Sequence, residues 1–65
     1  MYTVEMMQGE DSYTVGKWEL IEDAMNAGKI AHMYDSMGEI RIYFCDACLY
    51  VYRDGVYELV YTYGI

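Results

Sequence analysis

Sixty-five residues allow one domain, residues 1–65, and exclude a second, at a length close to the lower limit for folding without help. With 55% hydrophobic and 17% aromatic residues, the chain is far from the polar composition of disordered sequences. Eleven acidic against four basic residues give a formal net charge of −7; this argues against direct binding to nucleic acid or to an anionic membrane surface, and makes a basic protein the natural partner.

Tyr2 to Met7 alternates apolar and polar and predicts a first strand. Gln8-Gly9-Glu10-Asp11-Ser12 reads as an acidic turn. Tyr13-Thr14-Val15 fits a short strand paired back on the first, or the approach to a helix. Lys17 to Ala27 predicts an amphipathic helix with Gly28 as its stop. Trp18, Leu20, Ile21, Ala24, Met25 and Ala27 fill one half of its wheel, and Glu19, Glu22, Asp23 and Asn26 the other. Ile30 to Tyr34 reads as a strand, since a helix running on through Gly28, the alternative, costs about 1 kcal/mol at that glycine. In the strand reading Ala31 and Met33 face the core, His32 and Tyr34 the other side, and Asp35-Ser36-Met37-Gly38 turns into the next element.

Glu39 to Tyr63 predicts a three-stranded meander. A two-residue turn at Asp54-Gly55 pairs Arg53 with Val56, Tyr52 with Tyr57 and Tyr50 with Leu59. A turn at Asp46-Ala47 pairs Phe44 with Leu49, Tyr43 with Tyr50 and Ile42 with Val51. Together these registers predict a core face of Ile40, Ile42, Phe44, Leu49, Val51, Val56 and Val60. The opposite face then carries Arg41, Tyr43, Tyr50, Tyr52, Tyr57 and Tyr61. The expected fold is a small two-layer α+β domain, one helix packed on an antiparallel sheet in the order strand-helix-strand-strand-strand.

Few residues suggest chemistry. Cys45-Asp46-Ala47-Cys48 is a C-x-x-C, but a structural zinc site needs four ligands and the sequence holds no second cysteine pair and a single histidine. The pair reads as two ordinary thiols, beside an Asp that raises rather than lowers their pKa. His32 has no serine in a nucleophile setting, since Ser12 and Ser36 both fall in predicted loops. The pairs Glu10-Asp11 and Glu22-Asp23 lack EF-hand spacing. No enzyme activity and no cofactor is expected. No apolar run reaches the roughly 18 to 20 residues of a membrane span, and the start of the chain lacks the pattern of a signal peptide, so a cytoplasmic protein is expected.

In length, charge and the acidic residues Glu10, Asp11, Glu19, Glu22, Asp23 and Asp35, the chain resembles the small acidic inhibitors that phages encode against host defences, of the anti-CRISPR and anti-restriction type. That resemblance implies action in the host cytoplasm on a basic, nucleic-acid-binding protein, by nucleic-acid mimicry or by occluding a surface. The expected contact residues are Glu10, Asp11, Glu19, Glu22 and Asp23, with Tyr43, Tyr50, Tyr52 and Tyr57 supplying contact area. The alternative is a structural homo-oligomer, a dimer for instance, that associates through the tyrosine-rich sheet face.

Overall fold

The structure, a computed structural model, describes residues 1–60. Its elements are β1 (Tyr2–Gln8), β2 (Asp11–Trp18), α1 (Ile21–Tyr34), β3 (Glu39–Phe44), β4 (Ala47–Arg53) and β5 (Val56–Leu59). The five strands form one antiparallel sheet in the order β2-β1-β3-β4-β5, with the helix packed on it. This is the α+β architecture expected, with one strand more: Tyr13-Thr14-Val15 lies inside β2, paired back on β1. β2 and β3 flank β1 and run parallel to each other, so their connection must cross the sheet, and α1 makes that crossing.

The core lies between helix and sheet. Val4, Met6, Ala24, Ile40 and Ile42 are fully buried, and Ile21, Met25, Ala31, Trp18, Tyr2, Tyr50, Tyr52 and Tyr57 pack around them. Each fully buried Val, Ile or Met contributes about 1.5–3 kcal/mol, so a handful of residues at the β1–β3 centre holds much of the fold.

Three expectations are corrected. The helix begins at Ile21 rather than Lys17, because Lys17 and Trp18 are held in the β1–β2 ladder opposite Thr3 and Tyr2. It also runs through Gly28 to Tyr34, so Ile30 to Tyr34 is helix and not strand. Gly28 is a contact residue there and not a stop: a Cβ on it would overlap the Tyr57 hydroxyl and come within 2.9 Å of Ile40 Cγ2. The absent side chain lets the helix lie close to the sheet, and that packing offsets the weak helix propensity.

The third correction concerns register. The Asp54-Gly55 turn is as expected, with positive φ at both residues and the predicted pairs Arg53–Val56, Tyr52–Tyr57 and Tyr50–Leu59. The other turn falls on Cys45-Asp46, φ 49° and 70°, and not on Asp46-Ala47. A tight hairpin asks for left-handed backbone at both turn residues; Asp tolerates it better than Ala, and the observed turn leaves Ala47 in β4, opposite Phe44. Leu49 is then an extra residue in β4, and beyond it Ile42 pairs with Tyr50 and Ile40 with Tyr52. That is one residue away from the expected Ile42–Val51 pairing, and a one-residue slip moves every following side chain to the other face.

Candidate interaction surface

The slip reverses the expected tyrosine face. Tyr50, Tyr52 and Tyr57 share the face of Ile40 and Ile42 and lie under the helix, where they belong to the core. Tyr57 packs against Tyr52 at 4.6 Å between ring centres, the rings tilted by 48°, and edge-on to Tyr50 at 6.3 Å. His32, on the last turn of α1, meets Tyr52 edge-on at 5.1 Å. The Tyr57 hydroxyl donates a 2.7 Å hydrogen bond to the carbonyl of Met25, tying β5 to the helix. Burial, with the neighbouring Tyr52, pushes its pKa up to about 12. Val51 moves the other way and is buried on the opposite face, across from Arg41. Tyr61 lies outside the described residues.

Helix-facing small residues are the signal that would have placed these rings. Ala24, Gly28 and Ala31 recur at helical spacing, which reads as a smooth face approached by bulky neighbours. Nine tyrosines in the chain supply them.

Tyr43 keeps its expected place on the open sheet face, next to Arg41 in β3. Glu39 gathers both arginines of that face, with Arg41 Nε at 3.0 Å and Arg53 Nε at 3.6 Å. The neighbouring Tyr43 and Glu39 side chains hold the Arg41 guanidinium protonated even more firmly than usual. At the same end of the molecule a shallow depression of about 510 Å³ is lined by His32, Met37, Glu39, Arg41 and Arg53 among others.

All five carboxylates expected as contact residues are exposed, but the fold divides them. Glu10 closes the β1–β2 turn and Asp11 opens β2; Glu19 follows the far end of that strand, roughly 25 Å away at the rise of an extended chain. Glu22 and Asp23 stand beside Glu19 on the first turn of α1, where they suit the helix dipole and help a start that has no side-chain cap. Glu19, Glu22 and Asp23 therefore form one group, and Glu10 with Asp11 a second.

The thiols flank the β3–β4 turn. Cys45 is exposed and Cys48 half-buried, and burial raises the Cys48 pKa, which lowers its thiolate fraction at neutral pH. A feature with no counterpart in the sequence reading is the outer side of α1, where Ile30, Met33 and Tyr34 are exposed, as is Met37 just beyond. No protein-family model, curated protein or solved structure matches the chain.

Proposed function

We propose that this protein is a non-enzymatic binding module that docks on a basic, nucleic-acid-binding protein and inhibits it, in the manner of the phage anti-defence proteins it resembles in composition. The supporting observation is the distribution of charge. Two of the four basic side chains are drawn to Glu39 on the sheet, while Glu19, Glu22 and Asp23 face solvent together at the head of the helix. Carboxylates so presented offer Lys and Arg of a partner the charge that they otherwise take from phosphates. Association through the tyrosine sheet face has less support, because of the four expected contact tyrosines Tyr50, Tyr52 and Tyr57 are packed under the helix and Tyr43 stays on the open face.

The test is a pull-down with tagged protein from cell lysate at low and high salt, with and without added DNA or RNA, and identification of the retained proteins by mass spectrometry. The expected result is a basic nucleic-acid-binding protein, released both by salt and by competing nucleic acid. Retention of neutral or acidic proteins alone, indifferent to salt, overturns the proposal.

A further inference from the structure

The outer side of α1 has two unlike halves. Ile30, Met33 and Tyr34, at the three- and four-residue spacings that share a helix side, are 55%, 79% and 89% exposed, and Met37, three residues past the helix end, is 95% exposed. The sheet-facing side holds Ala24, Gly28 and Ala31, so these apolar side chains point away from the core of their own domain. Single exposed apolar residues are ordinary, whereas a contiguous group on a monomer marks a contact site. Two turns toward the helix start, the same side carries Asp23, with Glu22 and Glu19 next to it. At the other end Met37 lines one depression with Gly9 of the β1–β2 turn and with Arg41, Arg53 and their partner Glu39, so the far limit of the stripe is of mixed charge.

We infer that the docking surface is this helix side, with Ile30, Met33, Tyr34 and Met37 as apolar anchors beside the carboxylates of the helix head, and that its occupant is an amphipathic protein surface with an apolar strip bordered by Lys and Arg. The inference rests on the proposed function and adds the contact residues to it. Charge complementarity selects the occupant. A second copy of the chain carries the same formal net charge of −7, and the two arginines near the far end of its stripe are already drawn to its own Glu39. A cationic partner meets the helix-head carboxylates while its apolar strip covers the exposed apolar side chains.

The probe is a labelled synthetic peptide that forms a Leu/Lys amphipathic helix, compared with a Leu/Glu peptide of the same pattern, with binding followed by fluorescence anisotropy. The wild-type protein is expected to bind the first and not the second. Met33→Gln with Tyr34→Gln, both at exposed positions that leave the core untouched, should weaken binding by about tenfold or more at all salt concentrations. Glu22→Gln with Asp23→Asn should weaken it at low salt and little at high salt. Equal affinity of the Met33/Tyr34 variant and the wild type overturns the inference, as does equal binding of the Leu/Glu peptide. A wild-type dimer in sedimentation that the Met33/Tyr34 variant dissociates also overturns it, in favour of a second copy. If that variant still captures the basic partner from lysate as well as wild type does, this surface is wrong and the proposed function stands; a captured set with no salt sensitivity removes the proposed function itself.

Discussion

Tyr57 joins three parts of the molecule through one side chain. Its ring packs at a tilt against Tyr52, its hydroxyl reaches the Met25 carbonyl, and the same hydroxyl fills the space that Gly28 leaves open. Tyr57→Phe keeps the ring and loses the hydrogen bond, so it should lower stability by about 1 kcal/mol in urea unfolding at pH 7. The raised pKa adds a signature in pH. Below about pH 10 the phenol is neutral in both folded and unfolded chains; above it the unfolded chain releases its proton first, so the Tyr57 contribution falls between about pH 10 and pH 12. The stability difference between wild type and Tyr57→Phe should therefore shrink as pH rises through that window. A difference that stays constant would show that the hydroxyl is not held neutral by the fold.

At the scale of elements, the separation of helix and sheet depends on Gly28. In an exposed helix Gly→Ala stabilises by up to about 1 kcal/mol. Here the added methyl meets Tyr57 and Ile40, so Gly28→Ala should destabilise by about 1–3 kcal/mol, the range of core overpacking. Much of that loss should disappear in the Tyr57→Phe background, where the hydroxyl is gone; a double-mutant cycle in thermal or urea unfolding measures the coupling. The β3–β4 turn offers a second test. Cys45 and Asp46 both hold left-handed backbone, which costs a side-chain-bearing residue about 1–2 kcal/mol. Replacing the pair by Asn-Gly should raise the melting temperature. Ala47→Gly, inside β4, should lower stability by about 0.5–1 kcal/mol; a gain from Ala47→Gly would instead place the turn at Asp46-Ala47.

For the whole molecule, the decisive quantity is charge and where it lies. The triple change Glu19→Gln, Glu22→Gln and Asp23→Asn removes the helix-head group while leaving the core intact. Affinity for a basic partner should fall at low salt, and the dependence of log K on log salt should flatten. The helix should weaken slightly, by about 0.3–1 kcal/mol for each carboxylate lost from its first turn; circular dichroism at the assay temperature checks that the chain is still folded. An unchanged salt slope would mean that these carboxylates do not meet the partner.

By itself the sequence determined the features whose causes are local: net charge, alternation in β1, the Asp54-Gly55 turn with its register, and the α+β class. These follow from composition and from backbone preferences of a few adjacent residues. Tertiary structure decided the rest. Whether Gly28 ends a helix or seats it depends on Tyr57, distant in sequence, and whether Tyr50 and Tyr52 face solvent or core depends on the one-residue shift at the extra residue Leu49 in β4, which the packing of β3, β4 and the helix must accommodate. The contact site was legible in part for the same reason. Carboxylates at Glu19, Glu22 and Asp23 are polar wherever they stand, whereas Ile30, Met33 and Tyr34 become a surface only once the helix has turned Ala24, Gly28 and Ala31 toward the sheet. A hydrophobic residue carries no mark of which side it will face, because burial belongs to the packed chain and not to the residue.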